Sequence, residues 1–249
     1  MERIKLDDFT KFHFISGLEF SPDGEHACFA VHKANLDQNS YDSNLWLYRV
    51  GDERVFQLTA LNSEANFTWL DDNDHLIFKS IRDPKDKERQ EKGEEFTTFY
   101  RINIHGGEAV RFFEVPFTVT QIQQIDQENF LLIGLYHPVR PPLADLDDAE
   151  RNRILKERRE ERDFEVLEEI PFWQDNRGFI SGIRSRIYHY HLPSNTWQPL
   201  TAENLNVSSA FLNRNRSHAV VIAQTISGKR ELANQLYLLD LKTNALRLL

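Results

Sequence analysis

The sequence is poor in cysteine, in long apolar runs and in net positive charge, and each shortage excludes a class of structure or partner. The single cysteine, Cys28, rules out an intrachain disulfide. The longest apolar run, FLLIGLY at 130–136, is far shorter than the roughly 20 residues that a membrane-spanning helix needs. Acidic residues outnumber basic ones by 39 to 30, so the chain would repel a phosphate backbone. We therefore expect neither a membrane nor a nucleic acid as partner.

The N-terminal sequence MERIKLDDFTKF also lacks the apolar core of a secretory signal. Together with the lone cysteine, this predicts a soluble protein in the cytoplasm. A length of 249 residues suffices for one large all-β domain or for two smaller domains.

Short alternating segments recur in four sets of four. The first set, at about 10–59, runs SGLEF, HACFAVH, NLWLYRV and VFQLT, and the same order recurs at about 65–115, 118–201 and 205–249. Polar turns such as SPDG, DDND, HGGE and PSNT join the first strand to the second and the third to the fourth. The third strands carry aromatic residues: Trp46, Tyr48, Tyr100, Tyr188, Tyr190 and Tyr237. This pattern predicts an all-β protein, a β-propeller of four-stranded antiparallel blades with about four blades present.

A pair of β-sandwiches is the competing interpretation, because sandwiches also contain many short strands separated by turns. The last set ends with ALRLL at Leu249, and no spare strand remains to join the last blade to the first. We therefore expect an incomplete propeller that is part of a longer protein.

The connections between the second and third strands of each blade are long, and loops of this kind often carry recognition. In the third blade the connection contains a charged segment at about 143–165 that is rich in helix formers and has acidic residues near its start, so we expect a surface helix there. This helix could pack on another domain or subunit, or it could be a solvated excursion. The mixed-charge segment 83–95 is expected to be flexible.

Two stretches resemble a known family. They are similar to the N-terminal propeller of prolyl oligopeptidase family serine peptidases, in the acylaminoacyl-peptidase and dipeptidyl-peptidase-like branch. The first-blade stretch is FISGLEFSPDGEHACFAVHKANLDQNSYDSNLWLYRVGDERVFQLT, and the third-blade stretch is LEEIPFWQDNRGFISGIRSRIYHYHLPSNTWQPLT. The second blade departs from the pattern, with WLDDNDHL in place of a Ser-Pro-Asp-Gly turn. The resemblance implies a parent peptidase that acts on short peptides, whose substrates the propeller would filter by size.

In such peptidases the catalytic Ser, Asp and His lie in a C-terminal α/β-hydrolase domain, and we expect this domain to be absent from the present chain. The segment GFISG approaches the G-x-S-x-G pattern, but Ser181 stands in the fourth position instead of the central one. A nucleophile elbow also needs a strand before it and a helix after it, whereas this segment leads into a strand. We predict no catalytic residue in this chain.

Four residues are candidates for substrate binding: Glu168, Glu169, Arg177 and Arg184. The dipeptidyl-peptidase branch binds a substrate's free amino terminus with two propeller glutamates, and the resemblance implies this role for Glu168 and Glu169. The alternative is an ordinary solvated pair. Arg177 and Arg184, together with Arg186, could meet a substrate carboxylate or an acidic neighbour.

His189 and His191 form the densest histidine cluster, and alternate residues of a strand face the same side. No acidic or cysteine partner lies at a suitable spacing, so we predict no metal and no other cofactor. Cys28 is flanked by small and apolar residues in its strand, which indicates a buried hydrophobe instead of a reactive thiolate.

Two other functions stay open. A stand-alone propeller could be a scaffold that binds partner proteins through its long loops, and exposed strand edges would favour self-association. An enzyme of sugar or lactone chemistry would need carboxylates on the inner strands, where Glu19 is the main candidate.

Overall fold

The computed structural model describes Arg3, Lys5, Leu143 and Lys229 and the ranges 7–137, 146–160, 166–175, 178–227 and 233–249. Strands make up 49% of the structure and helices 11%, which confirms the all-β class. No sheet closed on itself occurs in these ranges. Two compact units divide the chain: the first consists of Met1–Pro84 and Thr98–Glu114, and the second of Lys85–Thr97 and Val115–Leu249.

Four antiparallel sheets of four strands follow one another along the chain. The first sheet contains β1 (His13–Phe20), β2 (His26–Asn35), β3 (Ser40–Arg49) and β4 (Arg54–Gln57). The second contains β5 (Phe67–Trp69), β6 (His75–Lys79), β7 (Thr97–Asn103) and β8 (Val110–Val115). The third contains β9 (Val119–Gln124), β10 (Asn129–Tyr136), β13 (Arg184–His191) and β14 (Thr196–Pro199). The fourth contains β15 (Leu205–Leu212), β16 (His218–Thr225), β17 (Gln235–Asp240) and β18 (Leu246–Leu248).

Within each sheet the strands are ordered as in the sequence, which is the up-and-down order of propeller blades and differs from the Greek-key order of sandwiches. The β-propeller prediction is therefore confirmed. The predicted turns are also found: Asn73, Asn195 and Asn244 have φ of 64°, 51° and 59°. Asparagine adopts this left-handed conformation more readily than most residues do.

The first unit has a core between its two sheets. Its members are buried residues of β2, β3, β5, β6 and β7 and of the turn that follows β7: Cys28, Ala30, Leu45, Leu47, Trp69, Leu76, Phe78, Tyr100, Ile102 and Ile104. The indole of Trp69 donates a hydrogen bond to the carbonyl of Glu19 at 3.2 Å, so the first strands of the two sheets are linked directly. Cys28 is fully buried, as predicted.

The first unit also contains a buried ion pair. Glu64 is completely buried, and the guanidinium of Arg82 donates to its Oε1 at 2.9 Å. The same guanidinium lies 5.2 Å from the ring centre of Phe78 and 5.3 Å from that of Tyr100. Glu64 Oε2 is buried and has no hydrogen-bond partner among the described residues.

The second unit has its own core, formed by buried residues of the third and fourth sheets: Leu131, Ile133, Ile187, Leu200, Leu205, Val207, Ala210, Ala219, Val221, Ala223 and Leu239. Side chains of β9 extend to the backbone of β15. The amides of Gln121 and Gln123 both donate to the carbonyl of Ala210, at 2.7 and 2.6 Å. Their carbonyl oxygens accept hydrogen bonds from the backbone nitrogens of Ala210 and Leu212.

Two helices lie in the described parts of the long connections. The segment predicted to be flexible instead forms α1 (Pro84–Glu91). Arg89 stabilises it through ion pairs with Asp86 at 3.0 Å and Glu94 at 2.7 Å, and through stacking over the ring of Phe96 at 4.0 Å. The predicted helix of the third blade is present as α2 (Asp148–Glu160), and Leu155 is its buried residue. Neither helix is long and apolar enough to cross a membrane.

Candidate functional site

The predicted binding residues lie in the connection between β10 and β13. Glu169 and Arg184 form a two-point ion pair in which Arg184 Nη1 lies 2.9 Å from Glu169 Oε2, and Nη2 donates to Oε1. The Arg184 side chain is 7% exposed and that of Glu169 is 19% exposed. Glu169 Oε2 also accepts from the backbone nitrogen of Gly182 at 3.2 Å. Of the two roles predicted for Arg184, the structure shows the contact with an acidic neighbour.

This ion pair fixes the base of a small hairpin. The hairpin consists of β11 (Trp173–Gln174) and β12 (Gly178–Phe179), with the rings of Trp173 and Phe179 edge to face at 5.1 Å. The backbone nitrogen of Ile180 donates to the carbonyl of Phe172 at 2.8 Å. Large apolar side chains in and before the hairpin are exposed: Val166, Leu167, Ile170, Phe172, Trp173 and Phe179.

The two adjacent glutamates have different surroundings. The carboxylate of Glu169 is engaged by Arg184, whereas Glu168 is exposed and its backbone nitrogen donates to Ser181 Oγ at 3.4 Å. Arg177 lies outside the described residues. The ammonium-binding role of Glu168 and Glu169 stays a prediction.

Ser181 is buried in the turn between β12 and β13. The residues that follow it form a strand, so the strand-to-helix geometry of a nucleophile elbow is not present at this position. Among the described residues, no group of three or more histidine, cysteine or acidic side chains is placed to hold a metal ion. His189 and His191 do share one side of β13, and His191 Nδ1 lies 2.7 Å from Ser194 Oγ.

A second polar cluster surrounds Arg186, which follows Arg184 by two residues in β13. Arg186 is 8% exposed, and its Nε and Nη2 donate to the carbonyl of Thr201 at 3.1 and 2.5 Å. Its guanidinium lies 4.8 Å from the ring centre of Tyr136. The Tyr136 hydroxyl donates to Glu203 Oε1 at 2.8 Å, and burial together with this hydrogen bond raises the pKa of Tyr136.

This cluster borders a cavity of about 220 Å³. Strands β10, β13 and β14 contribute Tyr136, Arg186, Tyr188 and Trp197, and the segment before β9 contributes Phe117. Phe117 stacks on Tyr188 with ring centres 4.4 Å apart and meets Trp197 edge-on at 6.2 Å. The cavity therefore has an aromatic wall and one buried cation.

A glycine in β10, Gly134, leaves the space that the aromatic wall needs. A Cβ at Gly134 would lie 2.5 Å from Cδ2 of Phe117 and 3.2 Å from Cε2 of Tyr188, so β10 needs a residue without a side chain here. From the sequence, Arg186 was predicted to meet a carboxylate, and Tyr188 was noted as an aromatic residue of a third strand. The participation of Phe117, Tyr136 and Trp197 was missed, because these residues lie far apart in the chain and only the tertiary fold brings them together.

The chain shows similarity to peptidases in sequence and in fold. No family model matches it. It is 23% identical over 206 residues to the uncharacterized peptidase YuxL of Bacillus subtilis, a match that covers 80% of this chain and 28% of the relative. The acylaminoacyl peptidase of Pyrococcus horikoshii superimposes with a TM-score of 0.64 at 14% identity, over 98% of this chain and 33% of that one.

TolB from Acinetobacter baumannii superimposes with a TM-score of 0.55 at 10% identity, over 94% of this chain and 43% of that one. The chain thus spans about a third of the length of the peptidases that it matches. Its structural neighbours include propeller domains of acylaminoacyl peptidases and related prolyl oligopeptidase-type enzymes, as the sequence resemblance predicts. TolB is not a peptidase by name, so the fold by itself does not specify an activity.

Proposed function

We propose that this chain is the non-catalytic propeller part of a cytoplasmic serine peptidase of the acylaminoacyl-peptidase type. Hydrolysis takes place in an α/β-hydrolase domain of the same protein, and the propeller controls access by admitting short, flexible peptides and excluding folded proteins. The partners of the chain in this proposal are the peptide substrate and the hydrolase domain.

The observation that carries the proposal is the agreement of two comparisons. The fold similarity to an acylaminoacyl peptidase extends over nearly the whole chain, and the sequence similarity to a peptidase covers four fifths of it. The geometry is compatible with a supporting role, because Glu169 and Arg184 neutralise each other and Ser181 lacks the setting of a nucleophile.

Sequencing of the gene beyond the codon for Leu249 tests the proposal. We expect a G-x-S-x-G motif followed by an aspartate and then a histidine, and a stop codon at that point would refute a peptidase parent. A second measurement uses acylated peptide p-nitroanilides as substrates. The product of the whole gene should release p-nitroaniline and the 249-residue chain should not, so release by the chain alone would refute its non-catalytic role.

A second candidate function is a scaffold that binds proteins, and the exposed apolar residues around the hairpin favour it. Single exposed apolar side chains are ordinary, but Ile170, Phe172, Trp173 and Phe179 lie together in one short segment. Exposed strand edges would add self-association. Sedimentation measures the oligomeric state of the 249-residue chain and of its Phe172→Ser/Trp173→Ser variant. A scaffold that self-associates through the hairpin should dissociate in the variant.

A further inference from the structure

The cavity beside β13 can accommodate a ligand of limited size. Its volume of about 220 Å³ lies below the range of about 300–1,000 Å³ that is usual for drug-sized ligands. A group as large as one amino-acid residue matches this space. Because the wall is formed by the rings of Phe117, Tyr188 and Trp197, the part of the ligand that enters deepest should be apolar or aromatic.

Arg186 is the buried cation of the cavity, and Arg158 and His137 also line it. Thr201 satisfies Nε and Nη2 of the Arg186 guanidinium, and the nearest carboxylate to Nη1 is that of Glu203 at 3.8 Å. Glu203 is 64% exposed, so solvent screens this contact and leaves it weak. Glu95, the acidic residue that lines the cavity, is also exposed. A buried cation whose third nitrogen has only a distant partner favours an anionic ligand.

Tyr188 supplies a second donor. The residue is 6% exposed and lines the cavity, and its hydroxyl makes no hydrogen bond to any residue of the described ranges. Because Tyr188 lines the cavity, a ligand there can accept a hydrogen bond from this hydroxyl. Burial raises the pKa of Tyr188 to about 12, so the hydroxyl stays protonated and able to donate in alkaline solution as well as at neutral pH.

We propose that this cavity binds a carboxylate with an apolar side group, such as the C-terminal residue of a peptide. Arg186 Nη1 and the Tyr188 hydroxyl hold the two carboxylate oxygens, and the aromatic wall takes the side group. The preference for a carboxylate is inferred from the residues of the cavity alone. The choice of a peptide as its source rests on the proposed function.

Calorimetric titration of the 249-residue chain tests the charge requirement. The probes are N-acetylphenylalanine, its amide N-acetylphenylalaninamide, and N-acetylglycine, which keeps the carboxylate but lacks the side group. We expect the acid to bind at least about tenfold more tightly than the amide, since a hydrogen bond to a charged group is worth about 1.5–3 kcal/mol in binding. N-acetylglycine should also bind more weakly. Equal binding of acid and amide, or no binding of the acid, overturns the proposal.

Matched variants locate the site. Tyr188→Phe removes the hydroxyl and keeps the ring that stacks on Phe117, and it should weaken binding of the acid about tenfold. Tyr190→Phe is the control, because its hydroxyl donates to Asn195 at 2.9 Å and Tyr190 does not line the cavity. Equal effects of the two variants overturn the assignment. Arg186→Lys keeps a positive charge but loses the planar guanidinium and its several donors, so it should also weaken binding.

The four tryptophans give an independent readout. In a nitrogen-15 correlation spectrum, the acid should shift the indole signal of Trp197, identified by its loss in Trp197→Phe, and leave that of Trp69 unchanged. A shift at Trp69 and not at Trp197 overturns the location.

The source of the carboxylate is tested with the peptide Ala-Ala-Phe and its C-terminal amide. Binding of N-acetylphenylalanine but not of Ala-Ala-Phe overturns the peptide assignment and leaves the carboxylate site intact. A gene without G-x-S-x-G would refute the peptidase parent without affecting any of these titrations, so the two failures can be distinguished.

Discussion

Arg184 and Glu169 are joined by two parallel contacts, and they connect the first residue of β13 with the segment that leads into the β11–β12 hairpin. Replacement of Glu169 by alanine leaves an almost fully buried guanidinium without its partner. Loss of one member of a buried pair typically costs about 3–5 kcal/mol, and we expect about 2–3 kcal/mol here because a fifth of the Glu169 side chain remains in water.

Urea unfolding measures this loss for Glu169→Ala, with Glu168→Ala as the matched control. Glu168 is exposed, and the bond it makes to Ser181 comes from its backbone, so its replacement should change the unfolding free energy by less than about 0.5 kcal/mol. Equal destabilisation by both variants would contradict a structural role for the ion pair.

Gly134 is expected to tolerate no side chain. A Cβ at this position would overlap the Phe117 ring at 2.5 Å, so Gly134→Ala should destabilise the protein by about 1–3 kcal/mol through overpacking. Gly51→Ala is the control, since nothing lies within 4 Å of its Cβ and its φ is not positive. Thermal unfolding compares the two variants, and Phe117→Leu combined with Gly134→Ala should recover part of the loss.

The buried pair of Arg82 and Glu64 gives a second electrostatic prediction. Arg82→Met leaves the carboxylate of Glu64 buried and without its cation, so we expect a loss of about 3 kcal/mol. The double variant Arg82→Met/Glu64→Leu removes both charges and should be more stable than Arg82→Met alone. A double-mutant cycle by urea unfolding measures the coupling, and simple additivity of the two changes would argue against the pair.

Alkaline pH should destabilise the second unit. Burial raises the pKa of both Tyr188 and Tyr190 to about 12, compared with an ordinary value of 10.0. Between pH of about 10 and about 12 the unfolded chain therefore loses protons that the folded chain retains, and the unfolding free energy falls as the pH rises. Below a pH of about 10, the two tyrosines are protonated in both the folded and the unfolded chain, so they do not change the unfolding free energy.

Urea midpoints across this range test the alkaline effect, with ultraviolet titration of the phenolates as a direct probe. The Tyr188→Phe/Tyr190→Phe variant should show a flatter decline than the parent chain. An unchanged decline would mean that other groups control the alkaline limit.

Cys28 should be inert in the folded protein. It is fully buried, and burial raises the pKa of its thiol, so both access and thiolate formation are suppressed. A chromogenic disulfide reagent at neutral pH should react only after addition of urea. Rapid reaction without urea would show that the first sheet opens readily.

The strands could be predicted from the sequence because their burial follows a simple rule. In β2, Cys28 and Ala30 are buried and Phe29 and Val31 are less so, which is the period of two that predicts a strand. The turn asparagines are equally local signals. Helix α1 was predicted wrongly, because Arg89 gains its support from Phe96 and Glu94, which lie beyond the end of the helix.

The candidate site could be predicted only in part. Arg184 and Glu169 were selected by residue type, but their mutual neutralisation depends on a chain reversal through the hairpin between them. The aromatic wall depends on a ring stack between Phe117 and Tyr188, which are 71 positions apart in the numbering of the chain. Such contacts arise from the packing of sheets and have no counterpart in local periodicity.

The glutamine side chains of β9 have a consequence for how the fourth sheet resists misassembly. Strand β15 is the first strand of its sheet, and on its outer side the backbone groups of Ala210 and Leu212 are already bonded to the amides of Gln121 and Gln123. An incoming foreign strand would have to displace both amides before it could form its own ladder. Two polar side chains thus protect this stretch of backbone from fibril-type growth without adding a further strand to the sheet.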